Sequence, residues 1–165
     1  MVSWVAHNPT RIGYAQSMNF LCAVILAVCK GDEDQTLTIF TCLMEDTSFG
    51  EYFHRETHFE ALQDDTREMT EILEKRDAVL HEHLRNLGFD MSTITPTWLL
   101  TCFFLPIGPA RAMDVIDELM KTGPGARQCL VELAISTIFD HRQCLLECQD
   151  LDEIYQVFKK NRQLV

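Results

Sequence analysis

Glycine and proline stand in this chain mostly where one helical repeat stops and another starts, and that punctuation leaves little room for a sheet. Pro9 and Gly13 bound a turn, and Gly31 follows an unbroken apolar run. Gly88 follows Leu80, Leu84 and Leu87, spaced as on one helix face. Thr95-Pro96 and Gly108-Pro109 precede apolar stretches, and Gly123-Pro124 closes one and opens the next. Proline presets the first turn of a helix, and glycine takes the positive φ that commonly ends one. No segment alternates apolar and polar residues for long enough to form a convincing strand. The expected fold is all-α, a single domain over residues 1–165 with about seven to nine helices joined by short turns.

The periodicity places those helices. Met1 to Ala6 reads as the end of one helix, followed by the Asn8–Gly13 turn. The next is expected from about Ala15 to Cys29, with Phe20–Val28 as its apolar body, and Asp32 caps the one after, which carries Leu37, Phe40 and Met44. Thr47 to Glu56 is a connection holding Phe49, Tyr52 and Phe53. Phe59, Leu62, Thr66, Met69 and Leu73 trace one face of a long helix, with Asp64, Asp65, Arg67, Glu68 and Glu71 largely on the other. Thr95 is expected as the cap of a buried helix through Trp98 to Leu105. Met113, Ile116 and Met120 are expected inward on the next, and Leu130, Leu133, Ala134 and Ile138 on the one following. Asp150 and Glu153 form a capping box for the last helix.

Charge and cysteine usage narrow the function classes. Hydrophobic residues make up 47% of the chain, enough for a sizeable core, and the formal net charge is −11. So acidic a surface repels phosphate backbones and anionic membranes, which speaks against nucleic acid as a partner. Phe20–Val28 is too short to cross a bilayer, which takes roughly 20 residues, and fits a buried core helix better. The seven cysteines include no CxxC pair, and Cys22, Cys29, Cys42, Cys102 and Cys129 sit in apolar runs. Free thiols in a reducing, cytoplasmic compartment are expected.

Most reactive-looking spacings have a plainer reading. His54 and His58, near Glu56, would share a helix face, but HRETH lacks the order of a zinc-protease motif and no third ligand is apparent. His81 and His83 point to different sides of a helix and read as polar surface. Cys144 and Cys148 share a face without further ligands, and Asp64-Asp65 reads as solvated charge. Thr122-Gly-Pro-Gly125 lacks the ending of a phosphate loop. No metal and no cofactor of the chain's own are expected. Tyr14 and Gln16 stand apart. Polar residues at a helix start can satisfy free backbone amides, but that role does not explain the choice of glutamine.

The segment NPTRIGYAQSMNFLCAVILAV, residues 8–28, resembles the glutamine-finger segment of the TBC domain, the all-helical module of Rab GTPase-activating proteins. Gly13, Tyr14, Gln16, Met18 and Asn19 match the family's G-Y-x-Q-G-M-N, and Ser17 replaces its second glycine. Residues 94–123 and 129–160 resemble the family's later helices, with Asp117 near its W-D aspartate and Ile116 in place of the tryptophan. The resemblance implies an activator that supplies groups in trans to a Rab-family GTPase in vesicle trafficking, is not itself an enzyme, and leaves GTP and Mg²⁺ to its partner. Gln16 would orient the hydrolytic water, and Tyr14 and Asn19 would contact the GTPase. The family's arginine lies in an I-x-x-D-x-x-R segment before Y-x-Q, and these residues contain no such segment. The chain is therefore expected to correspond to the later two-thirds of a domain, truncated at its N-terminus. Two further expectations follow: weak activation by these residues alone, and self-association through apolar surface that includes a face of Phe20–Val28. Recruitment to endomembranes would come through partners. The alternative is a catalytically inactive helical scaffold that binds a GTPase or adaptor.

Overall fold

The computed structural model describes residues 12–160 except Arg55 and His58. The helix end expected over Met1 to Ala6, most of the turn that follows it and the second histidine of HRETH lie outside the described residues. Among those described there are ten α-helices: α1 Ser17–Val28, α2 Glu33–Glu45, α3 Glu60–Arg76, α4 Ala78–Asn86, α5 Thr95–Leu99, α6 Phe104–Ile107, α7 Pro109–Thr122, α8 Ala126–Asp140, α9 Arg142–Glu147 and α10 Leu151–Lys160. Short 3-10 turns at Ser48–Phe53, Met91–Thr93 and Gly123–Gly125 join some of them. The β pairing among the described residues is one antiparallel bridge, Ile12 to His54.

The caps follow the local chemistry of the sequence. Asp32 accepts from the Gln35 amide at 2.9 Å to start α2, and Asp77 accepts from the Leu80 amide at 3.0 Å to start α4. Asp150 accepts from the Glu153 amide at 2.9 Å, while the Glu153 carboxylate accepts from the Gln149 amide at 2.7 Å. Asp150 thus caps α10 as expected, but the return bond of the capping box falls on Gln149, one residue before the cap, rather than on Asp150. α1 ends with Lys30 and Gly31 at φ 54° and 85°, and the Gly31 amide reaches back to Leu26 O at 2.9 Å. Such a left-handed exit satisfies carbonyls that the last turn leaves free.

α3 and α8 pack on one another and on several neighbours, with α4 and α5 against α3 and α7 against α8. Their inward faces carry Leu62, Met69 and Leu73 from α3 and Leu130, Val131, Ala134 and Ile138 from α8, all buried. Burying each large apolar side chain contributes about 1.5–3 kcal/mol relative to leaving it exposed. A second cluster joins distant parts of the chain: Trp98 meets Phe158 edge-on at 5.1 Å and Phe103 at 5.3 Å, and Phe89 lies 6.0 Å from Phe158.

Several expectations need correction. The run Trp98 to Leu105 is not one helix. Cys102 and Phe103 take left-handed conformations, φ 46° and 62°, and split it into α5 and α6. The reversal lets the Phe103 amide bond Trp98 O at 2.8 Å and buries both Cys102 and Phe103 completely. Thr95 does not cap: its hydroxyl donates to Met91 O at 2.7 Å. Phe59 has φ 63° just before α3, which turns its ring outward to 43% exposure. α7 buries Ala112, Ile116 and Leu119, whereas Met120 is exposed. Asp65, assigned to solvent, is buried. α1 is not wholly buried either. Met18, Leu21, Val24 and Ile25 face the core, while Phe20, Leu26 and Val28 are exposed. His54 follows the 3-10 turn in extended backbone rather than on a helix, and His81 and His83 on α4 are half-buried.

Candidate functional site

The polar turn before α1 is built by alternation. Ile12 and Met18 are buried, Ala15 packs against the core, and Tyr14, Gln16 and Asn19 are exposed. Two backbone contacts fix where it stands. Ile12 bridges His54, and the Gly13 amide donates to Phe53 O at 2.7 Å. The start of α1 is closed by its own backbone, with the Met18 amide to Ala15 O at 3.0 Å and the Asn19 amide to Gln16 O at 3.2 Å.

Gln16 occupies the N-cap position in helical conformation, φ −58° and ψ −32°, and its side chain caps nothing. Satisfying first-turn amides is therefore not its job. Beside it the Asn19 side-chain amide donates to the Tyr14 hydroxyl at 2.8 Å. This contact ties the two flanking side chains together and leaves the tyrosine proton free to donate outward. The three residues singled out from the sequence thus share one exposed turn. A carboxamide offers two donors and an acceptor, so Gln16 can hold a water molecule in a chosen direction without any proton leaving the side chain. Next to it, the Ser17 hydroxyl is buried without a hydrogen-bond partner among the described residues.

The Ser48–Phe53 turn that anchors this segment is itself gripped by a part-buried ion-pair network, which sequence reasoning missed. From the start of α8, Arg127 donates through Nε to Asp65 Oδ2 at 3.0 Å and through Nη2 to Asp65 Oδ1 at 2.6 Å. Nη2 also reaches Ala61 O at 3.1 Å, and Nη1 bonds Glu51. The Arg127 backbone amide donates to Ser48 Oγ at 3.1 Å. Its guanidinium carbon lies 5.6 Å from the centroid of the Tyr52 ring, and the Tyr52 hydroxyl donates to Asp65 Oδ2 at 2.5 Å. The hydrogen bonds that Arg127 donates to Asp65 outweigh burial and push the Arg127 pKa up. Burial, then the Asp65 charge, pushes that of Tyr52 up. One signal was available: Asp65 follows Leu62 by three residues and precedes Met69 by four, so it lies on the apolar face of α3.

Other clusters offer less. A groove of about 520 Å³ between α7 and α8 has Val115, Leu119, Leu130 and Leu133 in its lining, with Arg111 and Asp140 among its charged residues, and includes none of Tyr14, Gln16 or Asn19. Cys148 donates to Cys144 O at 3.2 Å, an ordinary helix contact. Among the described residues no group of three or more His, Cys, Asp and Glu is placed to hold a metal ion. No helix among them is long and apolar enough to cross a membrane.

An all-helical domain with an exposed Tyr-x-Gln turn mounted on a packed helix has relatives. The Rab-GTPase-TBC domain model matches residues 2–146, and the chain belongs to that family. It is similar to TBC1 domain family member 2A of Mus musculus, 29% identical over 157 residues, which is 95% of this chain and 16% of that protein. It is 26% identical over 150 residues to the GTPase-activating protein gyp2 of Schizosaccharomyces pombe, covering 91% of this chain and 20% of that one. A third relative, growth hormone-regulated TBC protein 1-A of Danio rerio, is 22% identical over 155 residues, 93% of this chain and 41% of that protein. The chain thus spans between about a sixth and two-fifths of the length of these relatives.

Proposed function

We propose that this chain forms the glutamine-bearing part of a GTPase-activating protein for a Rab-family GTPase. The observation that carries this reading is Gln16: exposed, used for no cap, and mounted between a backbone clasp and a packed helix. Hydrolysis of GTP needs a water molecule in line with the γ-phosphate and positive charge beside the transferring group. Gln16 orients the water through its carboxamide. Tyr14 and Asn19, tied to each other, present a stiff polar edge to the GTPase. The partner brings GTP and Mg²⁺, so the chain is an activator in trans and carries no cofactor. Vesicle trafficking at the cytoplasmic face of endomembranes, reached through partners, is the setting that accompanies this role.

The test is GTP turnover by a panel of Rab proteins, with the full-length protein and with Gln16→Ala. The substitution is expected to lower stimulated kcat roughly 10²–10³-fold, the loss seen when one preorganised donor at a transition state is removed. If no Rab responds to the full-length protein, the catalytic reading fails. Residues 1–165 contain no I-x-x-D-x-x-R segment. An arginine acting in trans raises the rate roughly 10³–10⁵-fold, so these residues alone are expected to stimulate near background. A second reading, a scaffold that binds a GTPase without activating it, draws on Ser17 in place of the family's glycine beside Gln16. Nucleotide-independent binding unaffected by Gln16→Ala would favour the scaffold.

A further inference from the structure

We propose that Arg127 is a positioning residue for Gln16, acting through the Ser48–Phe53 turn; its catalytic meaning rests on the function proposed above. The connection is continuous and short. The Arg127 side chain holds Glu51 directly and Tyr52 through Asp65, and its backbone amide holds Ser48. Phe53, next in sequence to Tyr52, offers the carbonyl that receives the Gly13 amide. Gln16 stands three residues further on, at the cap of α1.

The other contacts of that turn refer it to α2. Thr47, just before the turn, donates to Leu43 O at 2.8 Å and accepts from the Phe49 amide at 3.1 Å, which ties the start of the turn to α2. Gly50 lies so close to α2 that an added Cβ would fall 1.9 Å from Met44 O, which fixes its distance from that helix. Arg127 adds the directional bonds that reach α3 and α8. A planar guanidinium bonding Asp65 through two nitrogens defines an orientation as well as a distance, which an ammonium cannot. Asp65 and Ala61 belong to α3, so the turn is referred to both α3 and α8, the two helices at the centre of the core. A catalytic group misplaced by about 1 Å loses roughly 10²-fold in rate, so the position of this turn matters to a residue whose whole contribution is geometric.

The experiment uses the full-length protein and four variants: Arg127→Lys, Tyr52→Phe, Gln16→Ala and the double variant Arg127→Lys/Gln16→Ala. Asp77→Asn, which weakens an ion pair between α4 and α9, is the control. The first readout is amide hydrogen exchange over residues 12–19. Arg127→Lys and Tyr52→Phe are expected to speed it by roughly tenfold or more, and Asp77→Asn to leave it unchanged. Unaltered exchange in both variants, or an equal rise in the control, overturns the proposal. The second readout is stimulated GTP hydrolysis. Arg127→Lys is expected to lower kcat roughly 10–100-fold with KM for the GTP-bound Rab within about twofold. In the Gln16→Ala background it should cause no further loss, because a residue acting through Gln16 has nothing left to position. Additive losses would overturn the positioning role. A wild-type protein that activates no Rab counts against the proposed function instead, and the exchange readout then decides the anchor by itself.

Discussion

Ser17 carries a hydroxyl that is buried with no partner among the described residues. An unsatisfied buried polar group costs about 1–3 kcal/mol, and alanine at this first helical position removes it while keeping helix propensity. Ser17→Ala is therefore expected to raise stability by about 1 kcal/mol in a denaturant titration. Ser17→Gly is expected to gain less, because glycine gives back about 0.5–1 kcal/mol in backbone entropy. The opposite case is Arg127→Ala. It would leave the buried Asp65 carboxylate with the Tyr52 hydroxyl but no cation, a loss that approaches the roughly 3 kcal/mol lower end for breaking a buried ion pair. Chemical unfolding of that variant checks the figure. These two sites also mark what single residues disclose before a structure is known. Tyr14 and Gln16 stood out because a polar helix start left the choice of glutamine unexplained, and Asn19 joined them through the resemblance to the TBC segment. Asp65 and Arg127 did not. Each looks like ordinary surface charge in its own segment, and 62 positions separate the two ends of the bond.

Helices with a local signal were readable as elements, and those shaped by distant contacts were not. α2, α4 and α10 start at aspartates whose side chains accept backbone amides, a signal written within four residues. The break between α5 and α6 has no such signal. Nothing in Leu100 to Phe104 demands positive φ. The cost of two left-handed residues, about 1–3 kcal/mol each, is offset by burial of Phe103 against Trp98. The 3-10 turn Ser48–Phe53 read as a loop, though Phe49, Tyr52 and Phe53 are all buried. Its approach to α2 gives a sharp prediction. Gly50→Ala would drive a methyl into the Met44 carbonyl and is expected to destabilise by about 3 kcal/mol or more, measured by thermal unfolding. The capped elements also confer acid sensitivity. Hydrogen bonds from Arg142 hold Asp77 below the usual carboxylate range, and Ser92 does the same for Asp90. A lowered folded-state pKa means that the folded form binds fewer protons in acid. The stabilisation is therefore complete above the unfolded carboxylate value of about 3.9 and is lost as pH falls through the lowered folded values. The melting temperature is expected to fall on acidification below about pH 4, and less steeply in Asp77→Asn.

At the scale of the whole molecule, α1 and α2 together carry several exposed apolar side chains. Phe20, Leu26, Val28 and Leu37 are each at least 36% exposed. Contiguous apolar surface favours association, while a formal charge of −11 opposes it through repulsion that salt screens. Residues 1–165 are expected to self-associate more strongly as ionic strength rises, and Val28→Lys to weaken that association, both measured by sedimentation velocity. Order of synthesis adds a different consequence. The clasp at Gly13 waits for Phe53, and Phe53 is referred through its turn to Arg127, in the last third of the chain. At translation rates of roughly 5–20 residues per second, the ribosome makes Gln16 on the order of ten seconds before the residue that seats it. A message ending ahead of α8 would still encode the complete Tyr-x-Gln signature, and its product would display a glutamine with no fixed address.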